Sequence, residues 1–199
     1  MARPRGFDEA TVLDAAIGRF WADGYAATSV RELGAAMGLG PASLYNCFGD
    51  KRTLFVRALD RYLDVSMRAR IKRLERELPP RAAIAAFLAD IVALSLGNRR
   101  GCLLVNTAVE LAAHDSEIGA VVAARLGELE AFFRRAIGAG RRDGTIAATT
   151  EPVGLARLFV ATVIGLRVLA RARPDPDLLR DIADQALAVL DPPAPERPQ

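Results

Sequence analysis

Ser43, Tyr45, Asn46 and Lys51 bring two hydroxyls, an amide and an ammonium into one short stretch, LGPASLYNCFGDK, residues 39–51. A serine hydroxyl and an asparagine amide can hydrogen-bond base edges. A tyrosine hydroxyl and a lysine ammonium suit phosphate oxygens. Pro41 and Ala42 keep the start of the same segment slim, and free backbone N–H groups at a helix start favour anions. The chemistry on offer is recognition of a polyanion, not bond making. The same polar face would also suit a structural corner bathed in water.

A second group is RRGCLLVNTAVELAAHD, residues 99–115. Cys102 is placed to open a helix, where the dipole and neighbouring Arg99 and Arg100 would favour a thiolate. It equally suits a small buried core position. Asn106 and Glu110 stand four apart and share a helix face. Glu110, His114 and Asp115 have metal-ligand types, but a solvated helix end explains them as well. Two cysteines, Cys47 and Cys102, give neither a disulfide framework nor zinc spacing, which suits reduced thiols in a cytoplasmic protein. No metal or cofactor is expected.

These groups need helices to hold them, and helical signals run almost throughout. Val12, Leu13, Ala16, Ile17 and Phe20 recur on one face of a helix from about residue 8 to 23. Ser29 followed by Glu32 reads as a capping box opening a second helix, which Gly38 ends. Pro41 opens a third, with Leu44 and Phe48 inward, and Gly49 stops it. Glycines at 38 and 40 are expected to permit a sharp turn, so helices two and three form a helix-turn-helix. Further helices are expected at about 51–77, 81–97, 102–113, 116–141, 152–172 and 176–190. The fold class is all-α with about nine helices; TIAATT (145–150) is the one weak strand candidate and reads as a loop.

With 199 residues and a formal charge of +3, the chain can bury a real core, and any basic footprint must be local. Only Lys51 and Lys72 among the 27 basic residues are lysines. The N-terminus lacks an apolar signal segment. The longest charge-free stretch of the most apolar region runs from Leu158 to Leu166, and Arg157, Arg167 and Arg171 flank or follow it; no membrane span is expected. Apolar residues spread around the eighth helix (Leu155, Leu158, Phe159, Val163, Leu166, Leu169) and the ninth (Leu179, Ile182, Ala186, Val189, Leu190). A helix apolar on more than one stripe must be covered on more than one side. One cover is its own domain and the other a second copy, giving a homodimer through helices eight and nine. A two-layer monomer core is the alternative.

TVLDAAIGRFWADGYAATSVRELGAAMGLGPASLYNCFGDKRTLFVRALDRY resembles the TetR family of bacterial transcriptional regulators. The first helix with its Phe and Gly-Tyr, TSVREL, and SLYNCFGDK followed by Leu-Phe carry the likeness. Cys47 departs from the aromatic or His usual at that place. The resemblance implies a ligand-responsive repressor released from a palindromic double-stranded DNA operator by a small-molecule effector. It implies a DNA-binding domain over 1–49, a connecting helix over 50–77, and a ligand-binding and dimerisation domain over 78–191. The Pro-rich tail 192–199 is expected to be disordered.

Carried over by position, Ser43 and Asn46 would read bases from helix three, with Pro41 and Ala42 at its tip. Thr28, Tyr45 and Lys51 would hold phosphates, and Arg3 and Arg5 form a candidate arm. An effector pocket is expected among helices five to eight, with candidates Phe87, Ile91, Cys102, Asn106, Glu110, Phe133 and Thr162. Sensing of electrophiles at Cys102 is a subsidiary reading. An enzyme finds little support: there is one His, no nucleophile elbow and no P-loop, and GLGPAS has no strand before it. A helical interaction protein whose corner no longer binds DNA is the remaining alternative.

Overall fold

The computed structural model describes residues 8–149 and 151–191; Arg3, Arg5, Thr150 and the tail 192–199 lie outside the described residues. Among the described residues every regular element is helical. The chain divides into two compact units: residues 1–69 with 102–123, and residues 70–101 with 124–199. This division differs from the linear one drawn on the sequence, because the segment that begins at Cys102 groups with the N-terminal helices.

In the first unit, α1 (Glu9–Asp23) starts where Asp8 accepts hydrogen bonds from the Ala10 and Thr11 amides. Gly24, at φ +82°, ends it and donates to the Phe20 carbonyl. α2 (Val30–Met37) carries the complete capping box: the Ser29 hydroxyl accepts from the Glu32 amide and the Glu32 carboxylate accepts from the Ser29 amide. α3 (Pro41–Phe48) follows a Gly40 cap, and α4 (Lys51–Leu63) starts at Asp50, whose carboxylate accepts from the Thr53 amide at 2.6 Å. Leu33, Leu44, Phe20, Phe55 and Phe48 close the core between them. Each such side chain contributes about 1.5–3 kcal/mol by leaving water. Phe20 and Tyr25 both meet Phe55 edge-on at 4.9 Å, and Trp21 meets Tyr62 at 5.0 Å.

The corner between α2 and α3 works differently from the sequence expectation. Gly38 does adopt the left-handed conformation, at φ +64°. Gly40 has an ordinary φ of −67° and open space where a Cβ would stand. The second required glycine is Gly34, inside α2: a Cβ there would stand 2.7 Å from the Leu39 carbonyl oxygen. The Leu39 amide in turn donates to the Gly34 carbonyl at 2.9 Å, which fixes the close approach.

The region predicted as one helix over 51–77 contains a π-helical turn, Asp64–Arg68, between α4 and α5 (Ala69–Glu77). The Ser66 hydroxyl donates back to the Tyr62 carbonyl at 2.5 Å, and Arg68 pairs with Asp64. Side-chain competition for helix carbonyls loosens the regular ladder there.

The second unit packs α6 (Pro80–Gly97), most of α8 (Ser116–Asp143), α9 (Pro152–Ala172) and α10 (Pro176–Ala188). Its centre is aromatic: Phe87, Phe132, Phe133 and Phe159 touch in sequence with ring centres 5.0–5.4 Å apart. The 144–149 stretch is a loop, with Ile146 buried and the Ala147 amide donating to the Leu190 carbonyl. Arg167 is buried within α9 and spends its charge on hydrogen bonds, to the Ser95 hydroxyl at 3.2 Å and to the Gly101 carbonyl. Two helices, α6 and α9, are long and apolar enough by length and composition to cross a membrane, a property that counting charge-free runs did not register.

Candidate DNA-binding surface and regulatory segment

The first unit presents α3 as a helix with a greasy back and a polar front. Leu44 and Phe48 are buried at 0% and 3% exposure, while Pro41, Ala42, Ser43, Tyr45 and Asn46 are exposed. No side chain caps the N-terminus of α3, so its first amides remain open to an anion. Ser43 and Asn46 lie three apart and share one face with the small tip residues. That is the arrangement that fits a major groove.

Lys51 sits at the first turn of α4, with its ammonium 4.3 Å from the centre of the Tyr25 ring. Burial pushes its pKa down from the ordinary lysine value, and the Glu110 carboxylate opposes that shift. Burial likewise raises the Tyr25 hydroxyl. Thr28 departs from the expected phosphate role: it is 1% exposed and its hydroxyl donates inward to the Gly24 carbonyl at 2.6 Å. Arg31, exposed in the first turn of α2, is a cation that the sequence reading passed over.

The segment predicted as a helix over 102–113 is shorter: α7 runs Leu103–Glu110, with a turn to His114. Cys102 is its N-cap, half-buried, with the Tyr62 hydroxyl 3.7 Å from Sγ. The guanidiniums expected to act on the thiol are engaged elsewhere, Arg99 with the Arg171 carbonyl and Arg100 with Asn98. Glu110, offered as a polar pocket anchor, has partners in the loop between α1 and α2. Its carboxylate accepts from the Ala26 amide at 2.8 Å and the Tyr25 amide at 3.2 Å. Asp115 takes Arg52 at 2.5 Å and caps the Ile118 amide, and Glu117 takes Arg52 as well. Glu110 and Asp115 therefore face different partners, and the described residues hold no cluster of three metal-ligating side chains.

Phe87, Ile91 and Phe133 are buried at 1%, 7% and 0% exposure, with Phe87 and Phe133 in mutual contact. Thr162 donates to the Leu158 carbonyl of its own helix. Asn106 lies on α7, in the first unit. Two grooves in the second unit are bordered by other residues. One of about 480 Å³ is bordered by Glu75, Leu78, Ala83, Arg134, Arg135 and Arg142. Another, of about 440 Å³, runs between α6 and α10 along Leu88, Val92, Ala183 and Leu187. Glu110 carried no readable signal for its true partner, since backbone amides have no sequence signature.

Residues 5–58 match the family model described as bacterial regulatory proteins, tetR family, and residues 80–186 match that of tetracyclin repressor-like C-terminal domains. The chain is 32% identical over 194 residues to YezE, an uncharacterised HTH-type transcriptional regulator of Bacillus subtilis (strain 168), covering 96% of this chain and 100% of YezE. It is 28% identical to ComR, an HTH-type transcriptional repressor of Escherichia coli (strain K12), covering 93% and 90%. Among solved structures it is similar to a cysteine mutant of the TetR family regulator CifR complexed with 26-bp double-strand operator DNA. That likeness has a TM-score of 0.84 at 34% identity, covering 95% of this chain and 100% of that one. The fold is also that of reduced E. coli NemR, with a TM-score of 0.83 at 19% identity over 92% and 98%. The chain belongs to the TetR family of bacterial DNA-binding transcriptional regulators.

Proposed function

We propose that this protein is a homodimeric repressor that leaves a palindromic operator when a small-molecule effector binds. The observation that carries the reading is the exposed face of α3, with small residues at an uncapped N-terminus and Leu44 and Phe48 anchoring it from behind. Ser43 and Asn46 read base edges. Tyr45 and Lys51 hold phosphates, and the open amides beside Pro41 and Ala42 receive another. Repression follows the name of ComR, and operator binding follows the complex of CifR. It is a binding protein acting in the cytoplasm, not an enzyme.

The dimer reading rests on α9. Leu158, Val168 and Leu169 are 44%, 46% and 38% exposed, on a stripe distinct from the buried Phe159, Val163 and Leu166. A second copy covers that stripe together with Val189 near the end of α10, which is 41% exposed. Effector binding shifts the population toward a pose whose two α3 helices no longer match successive major grooves, about 34–36 Å apart.

A thiol trigger is supported by Cys102, a free cysteine capping α7 beside the Tyr62 hydroxyl. Its thiolate would add to the β-carbon of an α,β-unsaturated electrophile, forming a C–S bond, while the adjacent carbon takes up a proton. The test is operator affinity before and after N-ethylmaleimide, in the wild type and in Cys102→Ser. Release confined to the wild type supports the trigger. Equal responses refute it. Failure of unmodified wild type to bind any DNA selected from a random pool would refute the repressor reading itself.

A further inference from the structure

Glu110 makes contacts that sequence separation alone would not suggest. It closes α7, yet its two carboxylate oxygens take the amides of Ala26 and Tyr25, 84 and 85 residues earlier. Those amides lie in the loop that leads from α1 into α2. The same loop is closed from within by the Thr28 hydroxyl on the Gly24 carbonyl. The Tyr25 ring meets Phe55 edge-on and has the Lys51 ammonium over it, 4.3 Å from the ring centre. Gly24 leaves room for the arrangement: a Cβ there would stand 2.9 Å from a Glu110 oxygen. Asp115, just before α8, and Glu117, in the first turn of α8, hold Arg52, the neighbour of Lys51.

We infer that Glu110 is a positioning residue for DNA recognition: its carboxylate latches the α1–α2 loop, and through Tyr25 it sets the place of Lys51 and the start of α2. The inference rests on reading α3 and Lys51 as the DNA-binding surface. Glu110 itself touches no phosphate. Charge-assisted bonds to two amides are stronger and more directional than neutral ones, so they fix a loop that water would otherwise solvate in many poses. The latch also makes α7 the element through which events around Cys102 reach the DNA-binding helices, since both lie in one compact unit.

Simple electrostatics and the latch predict opposite signs. Removing a carboxylate near Lys51 should tighten DNA binding if charge alone matters. Loss of the latch should weaken it. The experiment uses full-length Glu110→Gln, which keeps the shape and removes the charge, and an operator selected from a random DNA pool. The expected result is a Kd raised about tenfold, an unchanged log–log salt slope because no phosphate contact is lost, and faster amide exchange at Tyr25 and Ala26. Exchange in the core of α1 should stay as in the wild type. Gly24→Ala displaces the carboxylate from the opposite side and should reproduce the same exchange pattern. Equal or tighter binding by Glu110→Gln, or unaltered exchange at both amides in both variants, overturns the inference. Should the wild type itself ignore DNA, the DNA-binding reading falls, while the exchange arm still decides whether the latch exists.

Discussion

Gly34→Ala and Gly18→Ala are the same chemical change in two helices, and the structure gives them opposite signs. Within a helix, alanine is favoured over glycine by about 1 kcal/mol because the unfolded chain loses less freedom. At Gly18 in α1 nothing lies within 4 Å of the added methyl, so that gain stands alone. At Gly34 the methyl would stand 2.7 Å from the Leu39 carbonyl oxygen, about 0.7 Å inside the 3.4 Å at which ordinary contact begins. The obstacle is backbone, and it is tied back by the Leu39 amide on the Gly34 carbonyl, so it cannot rotate away. Overpacking of this kind costs about 1–3 kcal/mol. The expected net effects are a gain of about 0.5–1 kcal/mol for Gly18→Ala and a loss of about 1–2 kcal/mol for Gly34→Ala. For a chain of this size each kcal/mol moves Tm by about 2–4 °C. Thermal unfolding followed by circular dichroism, at one fixed protein concentration, reads both. Because the clash separates α2 from α3, Gly34→Ala should also weaken operator binding at temperatures where it is fully folded. A Gly34→Ala protein as stable as the wild type would refute the close-approach argument for this corner.

Lys51→Ala should weaken binding to all DNA sequences alike and reduce the log–log salt slope by about one, read by fluorescence anisotropy across salt concentrations. Leu169→Glu places a charge on the exposed stripe of α9 and should raise the dimer dissociation constant by about 100-fold or more, measured by sedimentation; a dimer of wild-type strength would move the interface elsewhere. The caps Asp50, Glu32, Glu151 and Asp175 have carboxyl pKa values lowered first by bonds from backbone amides. A lowered folded pKa gives stability that is present above the ordinary carboxylate range and is lost as pH falls through and below it. Asp50→Asn, which caps without titrating, should therefore flatten part of the acid limb of the Tm profile while leaving neutral pH little changed.

Local signals were readable from the sequence because their partners are three or four residues away. The Ser29–Glu32 box, Gly38 after α2, Pro41 at the start of α3 and the Leu44–Phe48 pair all belong to that class. What escaped depends on distant backbone. Gly34 is required by the carbonyl of Leu39 across a turn, whereas Gly40 only looked required from its position in the motif. Glu110 read as a pocket anchor from its spacing to Asn106, yet its partners are amides of the α1–α2 loop. Thr28, placed among the phosphate contacts by resemblance, has its hydroxyl turned inward onto the Gly24 carbonyl, a bond that its neighbours in the sequence do not announce. Phe87 and Phe133, offered as pocket candidates, are buried against one another in the aromatic centre of the second unit, a contact between distant residues that no local spacing shows. The π-helical turn at Asp64–Arg68 arises from side-chain bonds to helix carbonyls that leave the apolar period almost intact.

The claim on which the account depends is that α3 enters the major groove, twice, from a two-fold pair. Dimethyl sulfate protection reads this directly, since it modifies guanine N7 in the major groove and adenine N3 in the minor groove. The account predicts N7 protection in two half-sites about 34–36 Å apart along the duplex, with the pattern in each half-site altered by Asn46→Ala. Protection confined to adenine N3, or a single unpaired footprint unchanged by Asn46→Ala, would contradict it.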